Sequence, residues 1–253
     1  MSISLVIESG GYSLTTADGA GVTQAQRLRH DVFAAEYGTR LPSLRNGLDV
    51  DEYDQHCDHI VVRHDASNTV VGTYRMMTAE CAALVGRRYG ERTFDLGPLR
   101  PLDADLVETG RAAVHPEHRN GAVIGLMWAG IAKYLSLTGR RWLGGCAWVP
   151  GGEDAGERAA AIWAATRDRY LAPPGQRVEP RLRALEHGRA PGAPGAPSAV
   201  PPLLRGYLRL GSWICGEPAY DAEAGIYTFY VLLSVDQMNP RYRRHFFGDQ
   251  LSA

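Results

Sequence analysis

Apolar residues recur at helical and at strand spacing along most of the chain, and the switches between the two periods mark its elements. Residues 23–36 place Leu28, Val32 and Phe33 on one helical face, the stripe expected of a helix lying on a core. Residues 59–64 and 69–77 are short apolar runs rich in β-branched residues, joined by the turn Asp65-Ala66-Ser67-Asn68, which predicts a β-hairpin. Residues 106–114 predict another strand, which passes through Val114-His115-Pro116 into a glycine-containing turn and an apolar helix over 122–137. A strand over 141–149 and an alanine-rich helix over 155–170 follow. A short helix over 202–210 stopped by Gly211, strands over 213–215 and 225–235, and a basic helix over 239–247 complete the chain. Strands alternating with helices around one hairpin predict an α/β fold on a mixed sheet rather than an all-parallel one.

Between 172 and 202 the pattern breaks. Pro173, Pro174, Pro180 and the run Pro191-Gly192-Ala193-Pro194-Gly195-Ala196-Pro197 read as a flexible connector. The expected organisation is therefore a core over 1–172, a Pro/Gly/Ala-rich insert over 173–201, and a segment over 202–253 that completes the same domain.

Composition narrows the classes. At 253 residues, 45% hydrophobic and 22% charged, the chain has enough apolar surface to bury a sizeable core. A net charge of −1 argues against a general nucleic-acid binder. Lys133 is the only lysine, so nearly all positive charge is arginine, which suits planar capture of carboxylate or phosphate and also follows from a GC-rich genome. Cys57, Cys81, Cys146 and Cys215 lie too far apart for a CxxC site and read as reduced thiols of a cytoplasmic protein. Residues 1–8 lack the basic and apolar regions of a signal peptide. The longest apolar stretch, 122–137, is broken by Gly125, Gly130 and Lys133 and falls short of the roughly 20 residues of a bilayer span. Peripheral contact with the inner face of a membrane stays open.

Chemistry concentrates at Glu108-Thr109-Gly110-Arg111 and the loop after it. A strand that feeds a helix N-terminus through a short polar loop makes an anion site, because the first backbone N–H groups of the helix lack internal partners. Glu108 is the candidate base or ammonium ligand, with ion pairing to Arg111 as its structural alternative. Arg111 stays charged, so it orients Glu108 or binds a carboxylate rather than moving protons. Asp51 and Asp54 sit where turns favour aspartate, and two acids at this spacing also suit the two ammonium groups of a basic amino acid. Arg29 and Arg75 would close a charge network with them, since buried charges are matched. His115 and His118 have no third metal ligand nearby, and Cys146 has no partner that would make it a nucleophile. Arg241, Arg243 and Arg244, with Arg87, Arg88, Arg140 and Arg141, form either a solvated basic face or a surface for an acidic partner.

The order Arg29-x-x-x-Phe33, Asp51-x-x-Asp54, Gly72-x-x-Arg75 and Glu108-x-x-Arg111 resembles the acyl-homoserine-lactone synthases of the GNAT superfamily. The chain is more similar to the ornithine-lipid N-acyltransferases, which it also resembles at Arg119, Leu126-Met127-Trp128, Gly144-Gly145-Cys146-Ala147, 202–211 and Cys215-Gly216-Glu217-Pro218. The tryptophan that follows the phenylalanine in the lactone synthases is replaced here by the Tyr37 region. The resemblance implies a GNAT-type acyltransferase fold, a twisted mixed β-sheet flanked by helices. It implies transfer of a 3-hydroxy fatty acyl group from acyl carrier protein to the α-amino group of ornithine, with acyl-phosphopantetheine as co-substrate and no tightly bound cofactor. It further implies Glu108 and Arg111 as catalytic residues, and Asp51, Asp54, Arg29, Arg75 and Phe33 as acceptor-binding ones. Val114, Arg119, Asn120 and Gly121 would bind the donor. Two other readings stay in view: another amine as acceptor, and a catalytically silent module that binds acyl chains or carrier protein.

Overall fold

The computed structural model describes residues 3–38, 41–149, 151–184 and 200–247. Its first hairpin, β1 (Val6–Ser9) and β2 (Tyr12–Thr16), turns through Gly10 and Gly11, both at positive φ. Adjacent residues at positive φ are the requirement of a tight hairpin turn. Sequence periodicity does not predict this hairpin, because its edge strand is half polar and leaves Val6 exposed. The helix α1 (Gly19–Tyr37) begins earlier than periodicity predicts, since Asp18 accepts a hydrogen bond from Gly21 N–H at 2.8 Å and fixes the cap.

A small hairpin, β3 (Leu44–Arg45) and β4 (Leu48–Asp49), and a 3-10 turn at Asp54–His56 lead into β5 (Asp58–His64) and β6 (Thr69–Met77). After the unpredicted short helix α2 (Ala79–Val85) come two 3-10 segments, Tyr89–Arg92 and Gly97–Asp105, with β7 (Phe94–Asp95) between them. Then follow β8 (Leu106–Val114), α3 (Gly121–Thr138), β9 (Trp142–Trp148) and α4 (Ala155–Tyr170). The chain ends in β10 (Glu179–Pro180), α5 (Pro202–Leu210), β11 (Trp213–Ile214), β12 (Ala219–Asp221), β13 (Ile226–Ser234) and α6 (Pro240–Phe247).

The main sheet runs β1-β2-β5-β6-β8-β9-β13-β11, with β12 also paired to β13. Every pairing is antiparallel except β8 with β9. This is the mixed sheet that the element order predicts, and β13, from the C-terminal segment, sits beside β9 inside it. Of the expected insert, residues 173–184 contain a turn and β10, which pairs with β7. Residues 185–199, including the Pro191–Pro197 run, lie outside the described residues.

By length and composition α3 alone among the described helices is apolar enough to cross a bilayer. Its Val123, Leu126, Met127, Ile131 and Leu135 instead pack with Leu14, Ile60, Val62 and Val71 in the largest core cluster. A Cβ on Gly130 would lie 2.5 Å from a Leu14 methyl, so glycine lets helix and sheet close. On the other face lie α1 and the segment between α2 and β8.

Candidate active site

The parallel pair at the centre of the sheet parts halfway along. The β8–β9 register runs Leu106↔Trp142, Val107↔Leu143 and Glu108↔Gly144, and no pair follows. A Cβ on Gly145 would lie 2.2 Å from the Thr109 carbonyl oxygen, so a side chain there would push the strands apart sooner. Beyond the fork β8 bulges: Gly110 pairs with Arg75 and Ala113 with Thr73, leaving Arg111 and Ala112 opposite Tyr74 alone. Arg111 takes φ +52°, a region that costs a branched or long side chain energy and is held only by its surroundings.

What holds it is a charge ring. Arg29 Nε lies 2.8 Å from Asp49 Oδ2, which lies 3.1 Å from Arg111 Nε. Arg111 Nη2 lies 2.8 Å from Asp51 Oδ2. Arg75 Nη1 then bridges Asp51 Oδ1 at 2.5 Å and Asp54 Oδ1 at 2.8 Å, and Asp54 Oδ2 returns to Arg29 Nη2 at 2.6 Å. Three arginines and three aspartates thus alternate in a closed, buried and electrically balanced circuit. Burial opposes ionisation of Asp51 and Asp54, but Arg75 with Arg111, and Arg29 with Arg75, outweigh it and hold both carboxyls below their ordinary range. His59 places Nε2 3.0 Å from the Asp54 carbonyl oxygen, and burial lowers its pKa against the pull of Asp54.

Glu108 stands outside this ring. Its carboxylate accepts hydrogen bonds from Tyr89 N–H at 3.0 Å and Gly90 N–H at 2.7 Å, and Arg111 is bound to the aspartates instead. Burial raises the Glu108 pKa, opposed by Arg88 and by the two backbone donors. Gly90 is required here, since a Cβ would meet Tyr230 Cε2 at 2.6 Å and Glu108 Oε1 at 2.8 Å. Cys146, near the fork on β9, has its pKa raised by burial and is a packed thiol rather than a nucleophile.

A cleft of about 110 Å³ opens beside the fork. Arg111 and Asp51 line it, with Glu52, Arg92, Glu223 and Trp148. The Arg111 guanidinium lies 5.2 Å from the Tyr89 ring centre and 5.3 Å from that of Trp148. Phe33, buried on α1, packs on Trp148 at 5.5 Å between ring centres, behind the cleft. Arg29, Arg75 and Asp54 also lie behind it and support the lining residues. Sequence reasoning does not single out Asp49, Tyr89, Trp148 or Glu223. Asp49 looks like one more turn acid, whereas the other three meet the cleft only through long-range folding.

The predicted donor residues gather at one end of β8. Val114 is its last residue, and its carbonyl oxygen accepts from Arg119 Nε at 3.1 Å. Arg119 also pairs with Glu36 at the end of α1. Asn120 caps α3 by accepting from Val123 N–H at 3.0 Å, and Gly121 is the first helical residue. His118 Nδ1 contacts the Tyr12 hydroxyl at 3.0 Å. Among the described residues no group of three or more His, Cys, Asp or Glu side chains is arranged to hold a metal ion.

A fork, a bulge and a capped helix in this order form the GNAT arrangement, and comparison with known proteins agrees. A model of the acetyltransferase (GNAT) domain matches residues 28–129. A structure of an acyl-homoserine lactone synthase, BjaI, with SAM and isopentyl-CoA superposes with a TM-score of 0.52 at 15% identity, covering 91% of this chain and 82% of that one. At that identity the likeness shows the fold. The L-ornithine N(alpha)-acyltransferase of Rhodobacter capsulatus is 32% identical over 90% of this chain and 92% of its own length. The enzyme of the same name from Agrobacterium fabrum is 30% identical over 90% and 82%. With a GNAT fold and this likeness over nearly its whole length, the chain belongs to the L-ornithine N(alpha)-acyltransferase family.

Proposed function

We propose that this protein moves a 3-hydroxy fatty acyl group from acyl carrier protein to the α-amino group of L-ornithine, forming a lyso-ornithine lipid. The observation that carries the reading is the fork between β8 and β9 opening onto a cleft lined by Asp51, Glu52, Glu223 and Arg111. Glu52 and Glu223 in that lining offer acids for two ammonium groups and Arg111 a guanidinium for one carboxylate, which is the charge pattern of a dibasic amino acid. Arg111 Nη1 keeps only a 3.4 Å contact to the Tyr89 hydroxyl and is the group for the acceptor carboxylate. Asp51 and Asp54, engaged by arginines, act on the acceptor mainly by fixing Arg111 and Arg75.

The donor thioester enters the fork with its phosphopantetheine phosphate on the N-terminus of α3, held by Asn120, Gly121 and Arg119. Arg119 exchanges Glu36 for that phosphate. The acceptor α-ammonium loses one proton, its nitrogen attacks the thioester carbonyl, and the C–S bond breaks as the pantetheine thiolate takes up the second nitrogen proton, leaving the amide and the free thiol. Glu108 receives the first proton through ordered water, since each of its oxygens holds one backbone N–H and retains a free lone pair. No covalent enzyme intermediate is needed.

The test is acyl transfer by the purified protein with 3-hydroxyhexadecanoyl carrier protein, or the matching coenzyme A thioester, and a panel of amines, read by mass spectrometry. An ornithine amide made by the wild type and lost in Glu108→Gln supports the reading. A product with another amine alone would move the acceptor. No product with any amine, despite tight binding of the carrier protein, would make the chain a silent binding module.

A further inference from the structure

We propose that the outward faces of α5 and α6, with Trp128 of α3 between them, form a docking surface for a bilayer rich in anionic lipid. The two helices are joined where Asn239 N–H donates to the Leu210 carbonyl oxygen at 2.9 Å. Trp128 ties them together on the face of the sheet away from the cleft. Its ring centre lies 5.4 Å from that of Tyr207 on α5 and 6.4 Å from that of Phe246 on α6.

The sequence sorts each helix into two sides. In α5, Leu204, Leu208 and Leu210 face the core, while Arg205 and Arg209, one turn apart, face out beside Leu203, which is 48% exposed. In α6, Phe247 is buried and Arg241 and Arg244 face out, with Tyr242 and Phe246 half-buried at the edge. Residues 200–216 and 237–247 hold five arginines and not one acid, in a chain whose net charge is −1. These two stretches therefore carry a local excess of positive charge.

The four outward arginines differ from most others in the molecule. Arg29, Arg75, Arg88, Arg92, Arg111 and Arg119 all have carboxylate partners. Arg205, Arg209, Arg241 and Arg244 have none among the described residues. Long cationic side chains around exposed leucine and half-buried tryptophan, tyrosine and phenylalanine are the composition of helices lying in a lipid–water interface. The aromatic rings take the headgroup depth, and the guanidinium groups take lipid phosphates. A docked acidic protein would also meet the arginines, but it would leave Leu203 and the aromatic edge without an apolar partner.

Sedimentation of the full-length protein with vesicles tests this, comparing phosphatidylglycerol/phosphatidylcholine with phosphatidylcholine alone at low and physiological salt. Wild type should prefer the anionic vesicles, more so at low salt. Reversing all four charges (R205E, R209E, R241E, R244E) should lower partitioning roughly 100-fold or more. The corresponding Arg→Lys variant should keep most of it, and Leu203→Asp should weaken binding to vesicles. Transfer to ornithine without vesicles should be unchanged in the charge-reversed protein. If that variant fails to fold by circular dichroism, R205Q with R209Q carries the same comparison. Equal binding to both vesicle types, or undiminished binding by the reversed or neutralised variants, would overturn the proposal. So would a wild type that ignores vesicles yet binds acyl carrier protein through these arginines, which would assign the face to the carrier.

Discussion

Glu108 shows how one residue is read twice. Its place on a strand beside Arg111 makes it a candidate base from the sequence, with pairing to Arg111 as the alternative. The fold instead gives Arg111 to Asp49 and Asp51 and gives Glu108 two backbone donors from Tyr89 and Gly90. A base in this setting has a measurable signature. Burial raises its pKa, so protonated Glu108 persists above the ordinary glutamate value of about 4.3. The transfer rate should rise with pH through a midpoint above that value, as Glu108 loses its proton. In Glu108→Gln the limb should vanish along with most of the rate, leaving a residual that no longer follows that midpoint. An acid limb unchanged in position and amplitude in Glu108→Gln would move the base elsewhere. The two backbone donors were illegible in the sequence because residues 89–90 and 108 come together only when the segment after α2 folds under β8.

At the scale of elements, α3 performs two tasks that a single substitution separates. Asn120 caps its N-terminus through Val123 N–H, and the same terminus is the proposed phosphate site. Asn120→Ala removes the cap and should cost about 1 kcal/mol of stability by urea denaturation. Asn120→Asp keeps a good cap and favourable charge toward the helix dipole, so stability should stay near wild type. A carboxylate there repels phosphate, so KM for the acyl donor should rise several-fold in Asn120→Asp with little loss of stability. An unchanged donor KM in that variant would place the phosphate elsewhere. The strong elements were legible: the β5–β6 hairpin, β8 and α4 follow their apolar periods to within a residue or two. The β1–β2 hairpin lies outside the elements that the apolar periods predict, because its edge strand is half polar. The strands β7 and β10 are too short to carry a period, and each exists because the other lies across from it.

For the whole molecule, the ring of Arg29, Asp49, Arg111, Asp51, Arg75 and Asp54 ties α1, the loop after it, β6 and β8 together. Asp51 and Asp54 have pKa values lowered in the fold, so their contribution to stability is present above the unfolded-state value of about 3.9. It is lost as pH falls through that value toward the lower folded ones. Glu108, with a raised value, acts in the opposite sense, being easier to accommodate once protonated. The unfolding free energy should therefore hold nearly level from neutral pH to about pH 5 and fall steeply below about pH 4. Asp54→Asn leaves Arg29 and Arg75 short of a buried countercharge and should cost about 3–5 kcal/mol at pH 7. Its acid slope should also be shallower, since one of the titrating carboxyls is gone. A slope equal to that of wild type would mean that Asp54 is not a depressed carboxyl in solution.

The sequence by itself determined the elements with a strong period, the α/β class, and the identities of most charged residues that meet at the centre. Local spacing carries that information because helix and strand periodicity are properties of neighbouring residues. Only the tertiary structure decided which charge pairs with which, that β8 and β9 part after Glu108, and that Glu223 reaches the cleft beside Asp51. Pairing in a buried network depends on distances between segments far apart in the chain. The bulge that holds Arg111 at positive φ requires a partner strand to bulge against. Neither is written in the order of residues until the chain has closed on itself.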